Sequence, residues 1–143
     1  MNAWRHSVPP MAVSRIASIT VPVAHHDRAL DLYRDALGFC VIRDHATDER
    51  GREVHMTAPG GGASIILVPA SDRHPAGSAH GGALQVRDML EAVERLAASG
   101  IDVTITVRHL DTEAGVWAEF SDVDGNAWLL WQPAARPGAL LAA

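Results

Sequence analysis

Apolar and polar positions alternate with a period of two along Ile16-Ala17-Ser18-Ile19-Thr20-Val21, which predicts a half-buried strand. Beyond Pro22 the period lengthens. Ala29, Leu30, Tyr33, Ala36 and Leu37 form one stripe of a helix over about 27–37, and Gly38 stands where such a helix stops. Three short strands follow, over about 39–43, 53–58 and 63–69, with turns at 49–52 and 59–62. Cys40, at the start of the first of these, reads as a small buried apolar residue.

The stretch 70–82, rich in Ala, Gly, Ser, Pro and His, reads as a linker, and then the order recurs. A strand over 83–86 leads to Asp88 and Glu91, spaced as in a capping box. The helix behind them carries Met89, Leu90, Val93, Leu96 and Ala97 on one face and stops at Gly100. Strands over 101–109, 115–120 and 127–132 complete the second half. Asp124-Gly125 between the last two predicts a tight hairpin turn, because Gly supplies the positive φ that the turn needs. Each half therefore reads β-α-β-β-β. The fold class expected is α+β, two such modules forming a curled mixed sheet around a cleft. The boundaries are a loose leader over 1–13, one domain over 14–133 (modules 14–70 and 79–133) and a tail over 134–143. Met11 competes with Met1 as the start.

Composition narrows the function classes. A chain of 143 residues, 48% hydrophobic and 20% charged, suits one globular domain. A net charge of −5 without a basic stripe argues against nucleic acid as a partner. No segment is long and apolar enough for a membrane span or a signal peptide. The single Cys40 cannot close an internal disulfide, which fits a cytoplasmic setting.

The run from Val21-Pro22-Val23 through Arg28-Ala29-Leu30-Asp31-Leu32-Tyr33 to Leu37-Gly38-Phe39 resembles the first module of the vicinal oxygen chelate superfamily. Asp122-Val123-Asp124-Gly125-Asn126 resembles its Asp-Pro-Asp-Gly-Asn turn, with Val123 in place of the Pro. This superfamily holds glyoxalases, extradiol dioxygenases, epimerases and bleomycin- and fosfomycin-resistance proteins. The resemblance covers about 14–133 and implies a cleft floored by strands, often in a homodimer. It is specific for fold and weakly specific for activity.

In metal-dependent members the ligands come from the first and last strand of each module. The resemblance puts those positions at Ser18, Ile66, Gly81 and Leu129, with His80 beside Gly81 as the one residual donor. Aliphatic side chains cannot coordinate a divalent ion, and a Ser hydroxyl is a feeble zinc ligand. The family's usual metal site is thus expected to be dismantled, with no cofactor.

Strand alternation then gives the lining. Ser18, Thr20, Ser64, Ile66, Ala83 and Gln85 are expected to face the cleft. A three-residue loop with Gly125 at its bulge would pair Glu119 with Leu129 and Trp117 with Trp131, adding those four to it. Such a wall suits a planar or amphipathic small organic molecule held by indole stacking. Metal-free binding of that kind, as in drug sequestration by resistance proteins, is the function expected. The competing reading is a lyase, isomerase or dioxygenase. It would use Glu119, desolvated between the indoles, as a general base, or a metal displaced to Glu119, His80 and His55. Glu119 is otherwise a solvated carboxylate or one paired to Arg52 or Arg108. A third reading is a cleft too small to bind anything.

His25-His26, His74 and His109 read as surface histidines. Gly60-Gly61-Gly62 lacks the Lys-Ser/Thr of a phosphate loop. The Asp122–Asn126 turn does not fit a calcium loop, since its Gly falls early and Pro133 stands where the closing Glu belongs.

Overall fold

The structure, a computed structural model, describes residues 12–110 and 113–134. Residues 1–11 of the leader expected over 1–13 and residues 135–143 of the tail expected over 134–143 lie outside the described residues, as do the side chains of Arg108 and His109. Two modules follow each other in the chain. The first contains β1 (Ser18–Val23), α1 (His26–Leu30) with a π-helical continuation (Asp31–Ala36), β2 (Cys40–Thr47), β3 (Gly51–Thr57) and β4 (Ser64–Pro69). The second contains β5 (Gly82–Gln85), α2 (Met89–Ala98), β6 (Val103–Leu110), β7 (Glu113–Ser121) and β8 (Ala127–Pro133). Each forms its own four-stranded mixed sheet, ordered β1-β4-β3-β2 and β5-β8-β7-β6. The first and last strands of each module pair in parallel, and the others are antiparallel.

The helix expected over 27–37 is present but widens after Leu30. Leu37 N–H donates to the Leu32 carbonyl at 3.0 Å, five residues back, and Phe39 N–H to Tyr33 at 2.9 Å. The wider turn brings Leu32, Tyr33 and Ala36 inward together. In α2, Asp88 caps as its spacing predicts, its carboxylate accepting from Glu91 N–H at 3.1 Å. The α2 stripe is narrower than expected. Met89, Ala92 and Leu96 are buried, whereas Leu90 is 66% exposed. Leu90 lies one position past the buried stripe, about 100° round the helix, so it meets solvent. Cys40 is also exposed, contrary to expectation. It opens β2, an edge strand that projects beyond the core, and almost all of that strand's residues are exposed.

Both modules share one core, with Val21, Tyr33, Val54, Met56 and Leu67 meeting Leu96, Ala118, Phe120, Trp128 and Leu130 in one cluster. The joint between the modules is polar. Tyr33 Oη donates to Asp122 Oδ2 at 2.5 Å and accepts from Trp128 Nε1 at 2.9 Å. Asp122 Oδ1 accepts from the backbone N–H groups of Asp124 and Asn126, both at 2.9 Å. The Asn126 side-chain amide donates to the Pro22 carbonyl and to Asp122 Oδ2 at 2.9 Å, and its oxygen accepts from Ala79 N–H at 3.0 Å. Asp124 accepts from Ala24 N–H at 3.1 Å. The turn runs through Gly125 at φ +92°, the positive value its sequence requires. A buried Asp and Asn are tolerable here because their polar atoms are so extensively partnered.

Candidate functional site

On the face of the second sheet turned from the core, Trp117 pairs with Trp131 and Glu119 with Leu129, the register expected from the sequence. Ala118, Phe120, Trp128 and Leu130 alternate with these positions and are buried in the core. The two indoles stack at a centroid distance of 5.7 Å and an interplanar angle of 24°. Both Nε1 atoms are buried without a protein hydrogen-bond partner. The Trp131 backbone is held by its carbonyl, which accepts from Val86 N–H at 2.8 Å. Gln132 Oε1 accepts from Met89 N–H at 2.7 Å, tying the end of β8 to the start of α2. Gly115 makes room for the stack, since a Cβ there would stand 2.8 Å from Trp131 Nε1.

A cleft of about 700 Å3 opens along Gly81, Asp102, Thr104, Glu119, Trp128 and Leu129, and neither Trp117 nor Trp131 lines it. Ala83 and Gln85 on β5 are exposed, and Ala83 pairs with Leu129. Glu119 is exposed in the chain. It does have an interaction partner.

On the first sheet Ser18 pairs with Ser64 and Thr20 with Ile66. Ser18 and Thr20 are exposed, Ser64 and Ile66 half-buried. The Ile66 row continues into His55 on β3 and Arg43 on β2. Beside it, His45 pairs with Glu53. His45, Glu53 and His55 thus share one face and offer ligand atoms within 4.8 Å of one another. Among the described residues this is the one group of three or more His, Cys, Asp or Glu so placed. It differs from the displaced site expected at Glu119, His80 and His55. Glu119 and His80 belong to the second module, and His80 is exposed with Nδ1 3.0 Å from the Ser78 carbonyl oxygen. His45 and Glu53 were not singled out by sequence reasoning.

The four positions to which the family resemblance assigns ligands do not fit a divalent ion. Ile66 and Leu129 present half-buried aliphatic side chains, Gly81 presents none, and Ser18 offers one hydroxyl. On the opposite face of the first sheet, Arg52 is clamped by Asp44 and Asp27, with Nη2 and Nη1 each 2.8 Å from a carboxylate oxygen. Its hydrogen bonds hold the Asp44 carboxyl below the usual carboxylate range. His25 is exposed, and His26 Nε2 lies 3.3 Å from the Leu67 carbonyl oxygen.

A family model described as Glyoxalase/Bleomycin resistance protein/Dioxygenase superfamily matches residues 15–130. Among solved structures, the chain is similar to TnmS3, an antibiotic binding protein from Streptomyces sp. CB03234. The identity is 31% and the TM-score 0.75, with 87% of this chain and 99% of that one covered. A glyoxalase/bleomycin resistance protein from the same organism shows 31% identity and a TM-score of 0.70, covering 82% and 99%. A superfamily member from Sphaerobacter thermophilus DSM 20745 shows 26% identity and 0.72, covering 85% and 99%. A comparison with curated protein sequences gave no match.

Proposed function

The chain belongs to the glyoxalase/bleomycin-resistance/dioxygenase superfamily, and from that premise we propose that it binds a planar or amphipathic organic molecule by contact. The observation that carries this reading is the stacked Trp117–Trp131 pair on a sheet face outside the core. Stacked indoles present a large, stiff apolar surface at small entropic cost, which suits a flat ring system. Their unpartnered N–H groups add donors that a small rearrangement would offer to a carbonyl or ether oxygen. Similarity at 31% identity to a protein described as antibiotic binding supports a ligand of the drug class, hence sequestration.

In this reading Ser18, Thr20, Ser64, Ile66, Gln85 and Leu129 complete the wall around the indoles, and no ion is used at the family positions. Each four-stranded sheet presents one open wall, and among the described residues no strand pairing joins the two. A homodimer, in which the first sheet of one copy faces the second sheet of another, would enclose the ligand. A cytoplasmic setting belongs to the same reading.

The test is a titration of tryptophan fluorescence with planar polycyclic antibiotics, run on the wild type and on Trp131→Ala. Saturable quenching with micromolar or tighter affinity, weakened at least about tenfold in the variant, is expected, since one base-sized aromatic stack contributes about 1–3 kcal/mol. Failure of a broad panel of planar and peptide-like compounds to bind the wild type would remove the sequestration role.

A further inference from the structure

The first sheet carries a feature that the contact-binding reading does not use. We propose that His45, Glu53 and His55 form a binding site for a divalent first-row transition metal, on β2 and β3 rather than on the strands that carry the family's ligands. The three side chains are partly buried, with 26%, 16% and 23% of their surface exposed. Glu53 Oε2 lies 3.7 Å from His45 Nε2 and 3.6 Å from His55 Nε2. Those separations are too long for hydrogen bonds. They are close to the edge of a tetrahedron whose centre binds each atom at about 2.0–2.2 Å. The rings sit 5.6 Å apart, tilted by 38°. His55 Nε2 is buried with no hydrogen-bond partner, as is His45 Nδ1. One Glu53 oxygen makes the contacts to both rings, and the convergence of these atoms on one half-buried face is the arrangement a divalent ion requires.

The backbone is arranged for this. A register shift between Val41 and Arg43 separates two stretches of β2. Continuing the Val41–Met56 pairing without it would set His45 opposite Arg52. With it, His45 stands opposite Glu53 and turns to the face of His55. Arg43 shares that face as the partner of His55, and its positive charge works against the ion. The Glu53 carboxylate offsets part of that cost. Two imidazoles and one carboxylate suit zinc, nickel, cobalt, iron or copper better than calcium or magnesium. Three protein ligands leave a fourth position for water or for an oxygen of a bound molecule.

The test uses the full chain stripped with a chelator and titrated with Zn(II) by calorimetry and with Co(II) by visible absorption. About one equivalent of zinc should bind, and cobalt should develop d–d bands. Glu53→Gln, His45→Ala and His55→Ala should each weaken zinc at least about tenfold, whereas His74→Ala should not. Glu53→Gln keeps the side-chain shape, so it decides the matter should a His variant misfold. No uptake by the wild type at 100-micromolar metal, or affinity unchanged in Glu53→Gln and His55→Ala, overturns the site. The fluorescence titration is read in metal-free protein, so the two proposals fail separately.

Discussion

Tyr33 and Asp122, 89 residues apart, meet in a 2.5 Å hydrogen bond that ties the first module's helix to the second module's last hairpin. The Trp128 indole N–H closes on the same phenol oxygen. Tyr33→Phe removes the donor from a buried carboxylate oxygen and the acceptor from a buried indole. A loss of about 2–4 kcal/mol is expected, read as a lower midpoint in urea with an unchanged slope. A loss below about 0.5 kcal/mol would show that the joint contributes little.

The same phenol has its pKa pushed well above the ordinary tyrosine value, first by burial and then by the Asp122 charge. The unfolded chain would ionise Tyr33 near pH 10, while the folded chain keeps the proton. Its contribution to stability is therefore intact below about pH 10. Above that it falls by about 1.4 kcal/mol per pH unit until the folded phenol also ionises. Since Tyr33 is the sole tyrosine, phenolate absorbance should rise together with loss of folded circular dichroism. Ionisation of the native protein near pH 10 would contradict this environment.

Asn126 is fully buried and bonds to Pro22, Ala79 and Asp122 through one side chain. Asn126→Ala strands the Pro22 carbonyl and the Ala79 N–H. The expected cost is about 3 kcal/mol. Asn126→Asp should be nearly as damaging, because a second carboxylate would face Asp122. Thermal unfolding of both variants reads the difference.

Gly115→Ala tests the indole stack from behind. The new methyl would lie 2.5 Å from the Gln132 carbonyl oxygen and 2.8 Å from Trp131 Nε1. Both contacts must be relieved, at a cost of about 1–3 kcal/mol. Near-ultraviolet circular dichroism from the Trp117–Trp131 pair should change while the far-ultraviolet spectrum holds. An unaltered aromatic signal would mean that the stack tolerates displacement of β7.

Arg52 provides the contrast. Its bridge to Asp44 and Asp27 has short distances, yet all three side chains are at least a third exposed. Arg52→Ala should cost less than about 1 kcal/mol, and high salt should remove much of that. A larger, salt-insensitive loss would indicate that the guanidinium stem packs against the helix.

The second module was the more legible in sequence. Asp124-Gly125 fixes a turn, the turn fixes the register, and Trp117 is thereby set opposite Trp131. Local chemistry suffices for that chain of reasoning. Cys40 and Leu90 were misread because burial depends on where a strand or helix ends up in the fold, and neither position carries a local sign of it. His45 and Glu53 were missed for a related reason. The strand expected over 39–43 stops short of His45, and alternation alone cannot reveal the one-residue slip between Val41 and Arg43 that decides which face His45 joins.

The knot of bonds around Asp122 and Asn126 also bears on how a guest would be admitted. Cross-linked by buried donors and acceptors at so many points, the halves are expected to move as one. Accommodation is expected instead at the outlying ribbons, where β2 and β6 run free along one border. Selectivity among guests would then be tuned by those margins, leaving the joint unchanged.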